Sequence, residues 1–306
     1  MGTLLPARAT LGTRLGAAAL TLGLFQLLVL PPLLTATPLW GWALLPLALL
    51  TTPFWSLIHE AVHGGLHPRR DRNDRLGRAL AMCYGSPFAL LKAGHLLHHR
   101  YSRSRERAEV YDPARARLAA VATGYYVRLF GGLYLLEIGA LLLALLPAAA
   151  IRALGRALDE PDSVSGPLLE RVAQPKVLRE FRIDAAAVVA LHAVAFAAYG
   201  PHWWMLALAL GGRALIISLS DNAYHYGTDL DEPLEALNLR LPPPLELLAL
   251  GFNLHGLHHR RPGLHWYELR PAFDAEGGEC DTGWFRAVAR QVRGPIAVPE
   301  RSPSHE

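Results

Sequence analysis

Two cysteines, Cys83 and Cys280, are all that the 306-residue chain contains. That is too few for a disulfide scaffold, a four-thiolate zinc site or a self-contained iron–sulfur cluster. Charge is also scarce: 18% of residues are charged against 52% hydrophobic, which is too apolar for disorder and too poor in charge for an ordinary soluble globule. No repeat at solenoid periods and no low-complexity tract interrupts it. The formal net charge is +4, but there is no recognition fold or aromatic-interleaved basic patch, so nucleic acid is set aside as a partner. Long apolar runs and fourteen histidines are what the chain has in quantity.

A helix needs about 20 mainly apolar residues, at about 1.5 Å each, to cross a bilayer. Residues 16–34 and 40–58 come close to this, joined by the uncharged turn Thr35-Ala36-Thr37-Pro38. Residues 183–199 and 202–219 form a second pair around Gly200-Pro201. Each pair predicts a tight transmembrane hairpin. A cleaved signal peptide is the rival for the first run, and the lack of a clear small-residue cleavage site weighs against it.

A fifth run, 129–150, has alike flanks. Arg103, Arg105, Arg107, Arg115 and Arg117 precede it; Arg152, Arg156, Arg171, Lys176, Arg179 and Arg182 follow. Cytoplasmic loops collect such residues, and both hairpin turns carry none. The run also contains Glu137, which is costly in lipid unless it faces protein or water. It therefore reads as a re-entrant or interfacial helix that returns to the same side.

The expectation is an all-α, multi-pass integral membrane protein with four transmembrane helices in two hairpins (14–58 and 183–219). A cytoplasmic helical cap over 59–128 and 220–290 completes one domain, followed by a frayed tail at 291–306. Both termini and the histidines fall on the cytoplasmic side, with a bacterial inner (plasma) membrane as the expected location.

The histidines cluster. His59 and His63 close the second run. His95, His98 and His99 follow, then a lone His225 just past the fourth run, then His255, His258 and His259. Spacings of three and four put imidazoles on one helix face, one turn apart. Neutral imidazole is the commonest side-chain metal ligand and suits iron, copper, nickel and zinc. One zinc takes four ligands at most, so nine imply two metals. A single His-x-x-x-His pair could be core packing; two copies of His-x-x-His-His beside it argue against that. His192, His202 and His305 receive no ligand role, and His67 and His265 fall off the spacing, as surface or supporting positions.

This ordered set resembles the membrane fatty acid desaturase superfamily, which includes acyl desaturases, alkane hydroxylases, carotenoid ketolases and alkene-forming decarboxylases. The three histidine boxes look like His59–His63, His95–His99 and His255–His259. The extra ligand between boxes two and three matches His225 in Asp221-Asn222-Ala223-Tyr224-His225-Tyr226-Gly227, with Asp221 at the position of a direct or water-linked polar group, where Asn is frequent. Pro262-x-x-x-Trp266 after Asn253-Leu254-His255 is similar to the acyl desaturase branch. The likeness spans about residues 40–270, and no electron-carrier domain is fused.

The resemblance implies two iron ions, O2 as co-substrate and oxidation of a fatty acyl or similar lipid chain, with double-bond formation leading over hydroxylation, ketone formation or decarboxylation. Glu60, Asp221, Asp112 and Asp229 are the carboxylates placed to orient imidazole N–H groups. An acyl chain would lie between the hairpins. Arg213, a cation inside the fourth run, could bind Glu137 or a substrate carboxylate, or snorkel to the interface. Electrons must come from a ferredoxin-like or other external donor. Arg69, Arg70, Arg72, Arg100, Arg103, Arg105, Arg260 and Arg261 could steer that donor, or serve topology and anionic lipid. Two rival classes remain open: an intramembrane zinc protease using His59-Glu60-x-x-His63 with Glu60 as base, and a histidine-rich metal transporter or sensor.

Overall fold

The computed structural model describes residues 4–232 and 234–298. Helices carry the architecture; the strands among the described residues are two parallel pairs of two residues each. Among the described residues, three helices are long and apolar enough to cross a membrane: Thr10–Leu34, Leu118–Leu145 and Pro175–Tyr224. They become four if Pro38–Leu49 and Thr51–His63, bent by 48°, count as one span. The exposed leucines on these segments fit a lipid-facing surface, for example Leu39 at 71%, Leu208 at 70% and Leu145 at 80%.

Helix α1 (Leu4–Leu24) continues helically to Leu34. Thr37 then caps the next turn, its hydroxyl accepting the Leu39 N–H at 3.3 Å. The bend before α2 (Thr51–His63) has a covalent cause: Pro53 has no N–H to give the Leu49 carbonyl four residues back. Gln26 ties the returning strand of this hairpin by donating to the Ala43 carbonyl at 2.8 Å.

The second hairpin is α9 (Pro175–Tyr199) and α10 (Trp203–Asp221), joined by the 3-10 turn Gly200–His202. A straight helix of that length would measure about 75 Å, far beyond a bilayer. The chain turns back instead at Gly200, whose φ of +48° and ψ of −123° suit glycine. The consequence is visible in the contacts. His192 on α9 lies beside Gly85, and Arg213 on α10 donates to Tyr84, so the two helices run side by side. The chain therefore folds back at the expected Gly-Pro turn.

The 129–150 run belongs to a longer bent element. Helix α5 (Leu118–Val127) is followed by a kink at Phe130 and Gly131 (φ +114°), then α6 (Leu133–Gly139) and a 3-10 segment to Leu145. Arg128 approaches Asp221 to 3.7 Å, and Gly131 lies against Ala214. The Tyr134 hydroxyl donates to the Tyr84 carbonyl. On the way out, the carbonyls of Ala144 and Leu146 accept from Arg182 at 3.1 and 2.7 Å. Asp221 and Arg182 stand at the same end of the α9–α10 hairpin, so this element dips between helices and leaves where it entered.

Around that end lie α3 (Arg70–Tyr84), α4 (Phe88–Tyr101), α7 (Ala148–Ala157) and α8 (Ser165–Val172). Arg78 of α3 binds Asp184 and Glu180 of α9, and Asp184 also accepts the Ala89 N–H at 2.9 Å, which fixes α4 to α9. Part of the expected frayed tail is tied down: Ile296–Ala297 pairs with Val110–Tyr111. Residues 299–306 lie outside the described residues.

Candidate metal centre

Each histidine reaches the centre for a local reason. His59 and His63 share one face of α2, which stops at Gly64 in the left-handed conformation (φ +84°), so His63 stands on the last turn. His95, His98 and His99 occupy the last two turns of α4. His225 follows a 3-10 turn that ends α10. His255, His258 and His259 form α11 (His255–Arg260), which Asn238 fixes by accepting the Leu257 N–H at 2.9 Å. Gly256 lies so close to the Ala236 carbonyl that a Cβ would collide with backbone.

The nine histidines meet, in two groups. His59, His63, His95, His99 and His258 form one; His98, His225, His255 and His259 form the other. Within each group the candidate ligand atoms lie within 4.8 Å of one another. In the first, Nε2 atoms follow one another from His59 through His258, His99 and His95 to His63 at 3.0, 3.0, 3.0 and 2.9 Å. In the second, Nε2 of His259 is 3.1 Å from His98 and 3.0 Å from His255. The groups adjoin, with the His99 and His259 ring centres 4.6 Å apart.

This packing fits a shared cation better than hydrogen bonding. A neutral imidazole Nε2 is either donor or acceptor, so a string of Nε2 atoms each facing two others cannot be satisfied by protons. Ligands at right angles around an ion with bonds of about 2.1 Å stand about 3.0 Å apart. Both ring nitrogens of buried His225 lack a protein partner, and so do Nδ1 of His255 and His259. Burial, reinforced by neighbouring imidazoles, holds His95, His225, His255 and His258 below the usual histidine range and brings His99 to about 3. That is the neutral, ligand-competent form.

His98 is the exception. Burial would depress it, but the Glu106 carboxylate, 2.6 Å from its Nδ1, raises it instead. Burial in turn would raise Glu106, yet His98 brings it down to about 2. Sequence reasoning missed Glu106. Its signal was faint: it is the one acid in the basic stretch 103–107, eight residues past His98.

The other expected carboxylates are placed differently. Asp221 adjoins the second group but lies outside its ligand set, with Arg128 at 3.7 Å. Glu60 is buried on the other side of α2, 3.9 Å from His265, and no bond to a box histidine is formed. Asp112 pairs with Arg115 at 3.3 Å, and Asp229 accepts the Asp231 N–H at 2.9 Å, both in exposed turns. His67 accepts the Arg69 N–H, His192 bonds the Val188 carbonyl and His265 caps helix α12 (Trp266–Ala275), so none joins the centre. His202 sits at the hairpin turn, and His305 lies outside the described residues.

Arg213 is also placed otherwise than expected. It is 2% exposed and donates to the carbonyls of Tyr84 (2.8 Å), Cys83 (3.2 Å) and Leu47 (3.4 Å). Those of Cys83 and Tyr84 end helix α3, where a cation complements the helix dipole. It neither pairs with Glu137 nor lines the cavity. Arg103 leaves the set of surface arginines as well: it forms a 2.7 Å ion pair with Glu109, both 1% exposed.

A cavity of about 520 Å³ opens beside the centre. His95, His98 and His255 form one end with Glu106, Arg128, Glu137 and Asp221. The remainder is apolar, walled by leucines of α4, of 133–143 and of α7 and α8. The expected slot between the two hairpins is therefore displaced: each hairpin gives only a few wall residues, such as Trp55, Ile217 and Asp221. The dipping element and the α7–α8 pair, not the hairpins, make this space.

Fold and centre together define a helical membrane protein with a metal-competent histidine cluster. The family model for fatty acid desaturases matches residues 35–288, and the chain belongs to that family, which marks it as an oxidoreductase. No curated protein and no solved structure matches it.

Proposed function

We propose that this protein is an O2-dependent di-iron oxidoreductase that introduces a double bond into a fatty acyl or similar lipid chain. The observation that carries the reading is the five-plus-four histidine array, three of whose members line a largely apolar cavity. His59, His63, His95, His99 and His258 would hold one iron, and His98, His225, His255 and His259 the other. Bound there, iron supplies O2 activation and the power to take hydrogen from an unactivated C–H bond, which no side chain has.

The protein's own part is positional. Leucines 90, 91, 133, 136, 143 and 168 bind the chain and keep water out. Trp55 and Phe252 set how close it comes to the histidines. Electrons come from an external, ferredoxin-like carrier. Topologically, the arginine-rich end carrying the centre faces the cytoplasm, and the 118–145 element is re-entrant; a tag at residue 160 reads out cytoplasmic. The zinc-protease alternative is disfavoured by Glu60, which faces His265 and not the array.

Oxygen insertion is the second reading, favoured by the four charged side chains at the reacting end of the cavity. Two measurements test the assignment. Purified protein contains about two irons per chain, and His98→Ala loses iron and turnover; one zinc per chain with retained hydrolysis refutes it. Lipid mass spectrometry after expression shows acyl chains lacking two hydrogens, whereas one added oxygen selects the second reading.

A further inference from the structure

We infer that Glu106 is a positioning residue for the four-histidine group, and that the two groups therefore differ in how their metal is held. The inference rests on the di-iron reading and concerns its second site. Among the described residues, His98 is the one member of the nine with a carboxylate bonded to its outer nitrogen, the Nδ1 to Glu106 Oε2 contact of 2.6 Å. The remaining eight have no carboxylate partner. In a neutral all-imidazole site, that contact does three things. It fixes the proton on Nδ1, leaves Nε2 as a lone-pair donor facing His259, and brings a negative charge next to the cation.

The loop that presents Glu106 is built to hold it. Arg103 adopts a left-handed backbone (φ +57°), and its buried guanidinium binds Glu109 and the carbonyl of Thr228, three residues past His225. The same loop backbone is tied to the chain's end, because the Ile296 N–H donates to the Glu109 carbonyl at 2.7 Å. On either side of Glu106, Arg105 and Arg107 reach outward to Asp159 (2.6 Å) and Asp162 (3.5 Å). Glu106 alone of this stretch points at the centre. It is thus held from below by a buried ion pair and from above by two surface pairs, which fixes the His98 ring in rotation as well as in tautomer.

The test is metal titration of the full-length, metal-free protein in detergent, with cobalt(II) as probe and its ligand-field absorption as readout. Wild type is expected to bind two ions per chain. Glu106→Ala should keep the five-histidine site at wild-type affinity and weaken the other by about 10–100-fold, the usual cost of losing such a partner. Glu106→Asp should recover part of the loss. Glu106→Gln, which keeps the shape but not the charge, should fall between wild type and alanine. Unchanged affinity at both sites in Glu106→Ala overturns the inference, as does an equal loss at both sites, which would mark a merely structural residue. A wild-type protein that binds one ion or none would instead overturn the two-metal reading itself.

Discussion

Arg213 offers a sharp test because two readings of it predict opposite experiments. As an intramembrane cation it could read a substrate carboxylate; in the structure it is spent on three backbone carbonyls between α3 and the first hairpin. Its guanidinium also lies 5.0 Å from the Tyr84 ring centre and 5.5 Å from that of Phe54. Replacing it by methionine keeps most of the volume and removes every donor. The Tyr84 carbonyl retains the Tyr134 hydroxyl and the Leu47 carbonyl the Thr51 hydroxyl at 3.3 Å, but the Cys83 carbonyl loses its side-chain donor. A buried acceptor left unsatisfied costs about 1–3 kcal/mol. The lost contact with two ring faces adds about 0.5–2 kcal/mol. Against this stands relief from burying a cation with no carboxylate, itself several kcal/mol in an unrelaxed site.

The two losses together come to about 1.5–5 kcal/mol and the relief takes back part of them, so Arg213→Met loses at most a few kcal/mol, and Arg213→Ala somewhat more because a cavity is added. In detergent this corresponds to a fall of up to roughly 15 °C in melting midpoint, at about 2–4 °C per kcal/mol for a chain of this size. The assay pairs that melt with turnover on a free fatty acid and on its ester. The structure requires both substrates to suffer equally, since Arg213 does not line the cavity and its guanidinium is taken up by backbone carbonyls. A tenfold selective loss on the free acid, with the melt unchanged, would refute the structural assignment.

Gly256→Ala should push α11 away from the Ala236 carbonyl and lower bound metal with little change in expression; full metal content, measured by elemental analysis, would show that the clash is absorbed elsewhere. Leu169→Trp, in the wall between α7 and α8, should shorten the usable cavity and shift the product spectrum toward shorter chains, read by mass spectrometry of total lipid.

Much of this was legible in the chain itself, and the reasons differ by residue. Spans are a matter of composition, so long apolar helices, and the Gly200-Pro201 turn between two of them, could be read from the apolar runs. The like Arg flanks of 129–150 suggest that its two ends lie together, and Arg128 and Leu146 do both meet one end of the α9–α10 hairpin. The histidines could be read because helical spacing converts sequence intervals into shared faces. Contacts between distant segments could not. Nothing in sequence says that Glu106 rather than Asp112 reaches an imidazole, since the choice depends on the left-handed turn at Arg103 and its buried pairing with Glu109. Nor does it say that Arg213 meets the end of α3, 129 residues earlier, instead of Glu137. The cavity was misplaced for the same reason: its walls come from segments whose amphipathic pattern announces burial but not a partner.

On the two-metal reading, charge accounts for a centre placed where the helical hairpins end rather than between their apolar middles. Two divalent cations among nine neutral imidazoles would carry a charge of about +4, which hydrocarbon cannot accommodate and which imidazole does not offset. The acids around the cavity end that have cationic partners or neighbours, Glu106 and Asp221, against the single Arg128, supply a net charge of opposite sign close by. Their own solvation and pairing need the polar segments 103–109 and 221–229, so these acids can gather only at the mouth of the helical pack. An acyl chain, on the same reading, would have the opposite requirement and would be served by the leucines of the dipping segment. A site at the membrane edge is the one place where both conditions hold, and the bent 118–145 element, with Arg128 near its start and leucines beyond, is what joins them.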